Sequence, residues 1–274
     1  MRRPKRAGIP IDAKRLSGWR QRFPGYRREV TRRRTLAWIN QFDADDHDLA
    51  ARLLDCIAYV THEAMDDAFR TIIARLPGWN LVKSKRRGKW RFVAFSIAAG
   101  ESGDMMLHKW RSATGLSAGN HDELFIHKSE LLNEQLGGGD TVVFVDDFAG
   151  TGDQVCEGWH EVMAELLPGS PSTYLVLVAA SRIARRRIRS ETPLRVESRF
   201  LLEEDDNIFS PDCVHFAGDE KGRLLDYSAR ADAGHPRGFG DCGFVIVFAH
   251  RTPDNSIPVL HANHQGWVGL FPRD

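Results

Sequence analysis

Thr141-Val142-Val143-Phe144-Val145-Asp146-Asp147-Phe148-Ala149-Gly150-Thr151-Gly152-Asp153-Gln154 is the stretch whose reading decides the fold. Its first five residues form a continuous apolar run, the pattern of a central parallel strand buried on both faces. That strand delivers two adjacent acids, Asp146 and Asp147, to its carboxyl end. Ala149-Gly150-Thr151-Gly152 then allows a tight turn into a helix predicted from about Asp153 to Leu167. Glycines let backbone N–H groups approach an oxyanion, and the start of a helix adds a favourable field. Thr151 adds a hydroxyl donor. The carboxylates cannot attract that phosphate directly. Their targets are hydroxyls, or a metal bridging them to the ligand. A structural turn whose acids merely cap the helix is the competing account. Neither a GxxxxGK[ST] loop nor a GxGxxG fingerprint is present.

Outward from this stretch the same rhythm continues. Upstream, Trp90 to Ile97 reads as a strand leading through Ala99-Gly100-Glu101-Ser102-Gly103 into a helix over Asp104–Ser112. A short strand around Leu124–Ile126 and a helical 128–135 come next, broken by Gly137-Gly138-Gly139. Downstream, Tyr174 to Ala179 is a second continuous strand, followed by a helix through Ile183–Ile188. Phe244 to Phe248 is a later strand, at the edge or the end of the core. This alternation predicts an α/β fold with a mostly parallel open sheet and right-handed crossovers. Before it lies an N-terminal helical extension. Leu36 and Ile39 supply one apolar face, Leu49, Leu53, Ile57 and Val60 recur at helical spacing through 46–60, and His62–Leu76 forms a further helix. The expected division is a basic arm over 1–34, a helical subdomain over 35–82 and the α/β domain over 83–274.

The chain has 274 residues, 42% hydrophobic and 27% charged, which suits a globular protein and excludes disordered and fibrous classes. No window has the apolar length to cross a bilayer, and the first residues lack a secretory apolar core, so a cytoplasmic protein without membrane attachment is expected. Four scattered cysteines without a CxxC pair indicate neither a disulfide framework nor a zinc site. The net charge of +1 is unevenly distributed. Residues 1–34 hold thirteen Lys and Arg against Asp12 and Glu29, leaving 25 basic and 35 acidic residues for the rest. Lys83 to Arg91 and Arg182 to Arg189 are further basic clusters. Such an arm can neutralise the phosphates of RNA or DNA. Alternatively it balances the acidic body, within the chain or across a homo-oligomer.

Val142 to Gln154 resembles the phosphoribosyl-diphosphate-binding motif of the phosphoribosyltransferase superfamily. In that motif, apolar residues precede an acidic pair, three spacers, Thr-Gly, any residue and Thr. The resemblance implies that Asp146 and Asp147 contact the ribose 2′- and 3′-hydroxyls, and that Ala149, Gly150, Thr151 and Gly152 cradle the 5′-phosphate. Gln154 replaces the final Thr, and Asp153 brings a negative charge near the phosphate. By order and strand context, Gly100, Ser102 and Gly103 stand where the superfamily binds diphosphate, although an ordinary strand-to-helix turn explains them almost equally well. Lys109 and Arg111 assist there only if their helix faces the pocket. Leu116–Asp140, with His121, His127, Lys128 and Glu130, occupies the place of the superfamily's mobile cover.

Two more segments, the WINQFDADDHDLAARLL stretch and the tail from Gly238 to Arg273, resemble a bacterial phosphoribosyltransferase-like subgroup of conflict and antiphage systems, sometimes found beside a reverse transcriptase. The resemblance covers about residues 35–273. It implies a nucleotide-binding glycosyl-transfer effector acting on phosphoribosyl diphosphate or a nucleotide at the anomeric carbon. Asp146 and Asp147 would be the catalytic pair and the ligands of Mg²⁺ bound with the diphosphate. The alternative is a non-catalytic phosphoribosyl or nucleotide sensor regulating a nucleic-acid-associated complex, with RNA, DNA or a reverse-transcriptase assembly held by the basic arm. A third account is a structural partner that keeps only a relic of the site. The aromatic residues near the end either seal the core or cover a nucleobase.

Overall fold

The computed structural model describes residues 11–97, 102–264 and 266–273. In chain order the main elements are α1 (Ala13–Arg22), α2 (Arg32–Ile39), α3 (His47–Cys56), β1 (Ala58–Val60), α4 (His62–Ile73), β2 (Trp90–Ala94) and α5 (Ser102–Ala113). They continue with β3 (Thr141–Ala149), α6 (Asp153–Gly158), β4 (Ser172–Ser181), α7 (Arg182–Glu191), β5 (Arg195–Leu202), α8 (Gly218–Ala231) and β6 (Ile246–Phe248). They gather into two compact units. One takes the chain up to His62 and again from Glu204, and the other runs continuously from Glu63 to Glu203. The sequential division at 34/35 and 82/83 is corrected by this arrangement, because the N-terminal helices and the C-terminal tail share one core.

The continuous unit holds the predicted mostly parallel open sheet. Its strands lie in the order β2-β3-β4-β5, every pair parallel. Val142 and Phe144 of β3 and Leu175 and Leu177 of β4 pack on one face with Val155, Trp159, Ala184 and Ile188. On the other face, Phe92 meets Trp110 of α5, which in turn meets Phe69 of α4, with ring centroids 5.5 and 5.4 Å apart. A sheet covered on both sides by helices explains the unbroken apolar runs, each large buried side chain contributing roughly 1.5–3 kcal/mol.

Two local expectations need correction, and one strand goes unforeseen. β3 does not stop at Val145, because β4 keeps pairing with it through Asp146↔Leu177, Phe148↔Ala179 and Ala149↔Ala180. The helix expected through Leu167 is α6 followed by a π-helical turn over Trp159–Met163. β5 escapes the sequence pattern, since Arg195, Glu197 and Arg199 dilute its apolar signal at the edge of the sheet.

In the other unit, the basic arm reading fails for residues 11–34. Leu16 and Trp19 of α1 are buried, with Phe23, Tyr26 and Val30, in one core that includes Leu53, Leu260 and Phe271. Asp12 caps α1 by accepting from the Arg15 amide at 2.8 Å. Three of the arginines here, Arg15, Arg22 and Arg34, act as internal clamps. Arg22 donates to the carbonyls of Asp55 (2.5 Å) and Ile57 (2.7 Å), satisfying oxygens left open where α3 ends. Arg34 donates to the carbonyls of Arg28, Glu29 and Leu270, and Arg15 pairs with Asp55 at 2.7 Å.

The spacing that includes Val60 in a helix is also corrected, as α3 ends at Cys56 and Ala58–Val60 pairs in parallel with Ile246–Phe248. The late strand therefore belongs to a two-stranded sheet in this unit, apart from the main sheet. Phe271 contacts Phe23 and Trp267 contacts Phe42, with centroids 5.1 and 5.3 Å apart, so the closing aromatics seal this core. The four cysteines are free. No helix among the described residues is long and apolar enough to cross a membrane.

Candidate functional site

Parallel pairing on both sides of β3 carries Asp146 and Asp147 to the carboxyl end of the sheet as buried strand residues. One hydroxyl joins them. Ser102, the first residue of α5, donates from Oγ to Asp146 Oδ1 at 2.6 Å and lies 3.0 Å from Asp147 Oδ1. It gets there because Gly103 lets α5 start flush against the chain leaving β2. A Cβ on Gly103 would sit 2.4 Å from the Phe95 carbonyl oxygen. Asp146 Oδ1 also accepts the Asp147 amide at 2.9 Å.

Burial first, and then the neighbouring charge of Asp147, raises the Asp146 carboxyl well above the usual carboxylate range. A hydroxyl carries a single proton, so it can donate to only one of the acids at a time. A protonated Asp146 resolves the second contact by donating in its turn. Burial and the adjacent charge thus favour a protonated Asp146 beside Asp147.

The turn after β3 is fixed by neighbours on α7. Gly152 has φ +85°, and a Cβ there would meet Ile188 Cγ1 at 3.2 Å and Ala184 Cα at 3.3 Å. Ser181 donates to the Gly150 carbonyl at 2.5 Å while accepting the Ala184 amide at 2.9 Å, so one buried hydroxyl both caps α7 and holds the turn. Thr151 Oγ1 accepts the Asp153 amide at 3.2 Å. The amides of Thr151 and Gly152 make no backbone hydrogen bond among the described residues. Together with the favourable field at the start of α6, they can receive an anion. Asp153, the charge nearest that anion, forms an ion pair with Arg187 of α7 and is neutralised there.

Of the residues expected from sequence, the structure brings Asp146, Asp147 and Ser102 together. It sets Ala149, Gly150, Thr151 and Gly152 immediately downstream on the same strand end. Gly100 lies outside the described residues. Gly103 has a packing role that accounts for a glycine by itself. Lys109 pairs with Asp66 and Arg111 with Asp122, which directs neither to the acid pair. His127 contacts Ser129, and His121 contacts Arg86. Lys128 instead donates to the carbonyls of Ser96 (2.5 Å) and Ile97 (2.9 Å), anchoring the chain where it leaves β2.

Three partners escape sequence reasoning. The local pattern marks Ser102 as a phosphate donor and not as the clasp of the acids. Ser181 has a usable signal, an N-cap residue between an apolar strand and an arginine-rich helix. Arg187 carries no local signal, since its partner lies 34 positions away in sequence.

Among the described residues no group of three or more His, Cys, Asp or Glu could hold a metal. Two adjacent carboxylates nevertheless fit the way Mg²⁺ is held, by one or two acids completed with substrate oxygens. A cleft of about 210 Å³ flanks the start of α5, lined by Ala94, Ser96, Asp104, Leu107, Phe125 and Lys128 among others. A family model described as PRTase-CE matches residues 35–273. No curated protein matches the chain.

Proposed function

The chain belongs to the PRTase-CE family, a phosphoribosyltransferase-like family, and on that premise we propose that it binds a 5-phosphoribosyl group and makes or breaks a bond at its anomeric carbon. One observation carries this reading. The amides of Thr151 and Gly152 make no backbone hydrogen bond among the described residues, at the same strand end where a serine clasps two buried acids.

In this reading the turn over Ala149–Gly152 holds the 5′-phosphate, and Asp146 and Asp147 accept from the ribose hydroxyls. Negative charge on the acids also opposes the positive charge that develops on the sugar as the bond to the leaving group stretches. Because burial favours the protonated form of Asp146, that charge requires loss of the proton. Ser102 is placed to follow that change by turning its hydroxyl from one acid to the other. Mg²⁺, bound by Asp146 and Asp147 with the substrate, would supply charge neutralisation to a departing diphosphate. The Arg187 pairing lets the phosphate site tolerate Asp153. Phosphoribosyl diphosphate and nucleotides are the substrate classes. A cytoplasmic antiphage effector that depletes a nucleotide pool is the role that the resemblance of the tail supports.

The test is incubation of a metabolite mixture with the wild-type chain and with the Asp146→Asn/Asp147→Asn variant, read by mass spectrometry. A phosphoribosyl compound consumed by the wild type alone is expected. Equal consumption by both proteins would rule out a reaction at this site.

A second reading, ligand sensing without turnover, is favoured by the two departures in the phosphate turn, Gln154 in place of a threonine and the acid Asp153 beside it. Binding of a phosphoribosyl compound that is recovered unchanged would select it.

A further inference from the structure

Besides the exposed cations of residues 11–34, the fold leaves a second basic surface on the loop that enters β2. Leu81 to Lys89 contains Lys83, Lys85, Arg86, Arg87 and Lys89 and no acid. The loop is firmly built. Asn80 Oδ1 accepts the Val82 amide at 2.9 Å, and the Arg87 amide donates to Gly78 O at 3.0 Å. Arg86 stacks over the Trp79 ring at 4.6 Å and donates to the carbonyls of Asn80 and Leu81. With Arg86 spent inside, Lys83, Lys85, Arg87 and Lys89 are exposed. Lys83 reaches Glu123, whereas Lys85 and Arg87 have no acidic partner among the described residues.

A second turn widens this surface. Gly88 abuts Gly139, where a Cβ would come within 2.1 Å of the Gly139 carbonyl oxygen. Gly137, Gly138 and Gly139 have open space where a Cβ would project, so the backbone beside the cations is bare. The nearby acids are already engaged. Glu134 pairs with Arg91, and Asp140 accepts the amides of Lys89 and Gly137.

The loop also sits at the wrong end of the sheet to serve the sugar site. Trp90 pairs with Thr141 where both strands begin, whereas Asp146 and Asp147 lie five and six residues further along β3, roughly 16–20 Å away. Its cations without an acidic partner among the described residues, Lys85 and Arg87, are therefore available to a different anion.

We propose that this face, formed by Lys83, Lys85, Arg87, Lys89 and the 137–139 glycine turn, binds the phosphate backbone of a nucleic-acid strand. Repeated cations beside a glycine turn whose backbone is uncovered match a ligand with regularly spaced phosphates. Among the described residues the face presents no exposed aromatic ring for base stacking, so recognition is independent of sequence. Leu81 and Val82, 56% and 51% exposed, are its large apolar groups. Two aliphatic side chains fall well short of the apolar face a membrane-docking helix buries.

The test measures full-chain binding to fluorescent poly(U) RNA and poly(dT) DNA across a salt series, beside co-sedimentation with phosphatidylserine–phosphatidylcholine vesicles. Lys85→Glu/Arg87→Glu is compared with Arg32→Glu/Arg33→Glu, which makes the same charge change on exposed residues of α2. Lys85→Gln/Arg87→Gln is read in its place if the first variant does not fold. The expected result is wild-type binding to RNA, DNA or both, weakened at least about tenfold by the loop variant, with its log–log salt slope reduced by about 2. The α2 variant should retain most of the affinity. Equal weakening by both variants, no nucleic-acid binding by the wild type, or loop-dependent binding to vesicles alone would overturn the proposal.

Discussion

Asp146 is a residue that folding alone would not select. A buried carboxyl pressed against a second acid opposes stability, and Ser102 offsets only part of the cost. Its folded-state pKa is raised, so the folded chain holds a proton that the unfolded chain releases. Its own contribution to stability is therefore greatest in acid and declines as pH climbs from the ordinary carboxylate range through the raised value. Asp146→Asn should remove that decline, raising Tm more at pH 8 than at pH 4, by about 2–4 °C per kcal/mol relieved, while ligand binding is lost. Thermal melts at the two pH values check it, and a uniform drop in Tm would contradict it. Gly152 is constrained in the opposite way. Gly152→Ala should cost about 1–2 kcal/mol from positive φ, more if Ile188 and Ala184 cannot yield, and should weaken phosphate binding. Urea denaturation with parallel ligand titration reads both effects. The acids and glycines are legible from the amino-acid sequence, because buried-strand ends and tight turns leave signatures within a few residues. Ser102 bridging to Asp146 and Asp147 is not, since it depends on how closely α5 approaches the sheet.

At the scale of elements, β4 and α7 hold the turn that β3 delivers. Ser181 joins them, capping α7 and bonding the Gly150 carbonyl with one hydroxyl. Ser181→Ala should cost about 1–3 kcal/mol, a lost cap plus a buried carbonyl left unpaired. It should also lower phosphoribosyl affinity although Ser181 lies outside the proposed ligand contacts. Ser181→Thr, which restores the hydroxyl, should recover part of both, as titration calorimetry and melts would show. Central strands are readable because burial on both faces forces an apolar run, as in Thr141–Val145 and Tyr174–Ala179. Edge strand β5 and short β1 are not. Arg195 and Arg199 face solvent, and Ala58–Val60 follows a helix whose spacing it happens to continue.

For the whole molecule, charge counted along the sequence misleads where tertiary contacts consume it. Arg15, Arg22 and Arg34 look like an arm for polyanions and serve as clamps on carboxylate and carbonyl oxygens. Removing residues 1–34 should therefore unfold the unit that contains them, seen as a lost cooperative transition, because Leu16, Trp19, Phe23 and Tyr26 leave its core. The same unit contains His261, whose Nε2 donates to the Ser256 carbonyl at 3.1 Å. Desolvation pushes its imidazole down to about 4, so the folded chain keeps it neutral. Its contribution is present above pH 6.5 and lost as pH falls towards 4, on the order of 2–3 kcal/mol. His261→Gln should flatten stability across that window. The central claim, one pocket for sugar hydroxyls and phosphate, is tested most directly by calorimetric titration of the full chain with ribose 5-phosphate, ribose and inorganic phosphate. Ribose 5-phosphate should bind at least tenfold more tightly than either part, and Asp147→Asn and Gly152→Ala should each weaken it severalfold. Equal affinity of all three proteins for ribose 5-phosphate, or no binding by the wild type, would contradict the account.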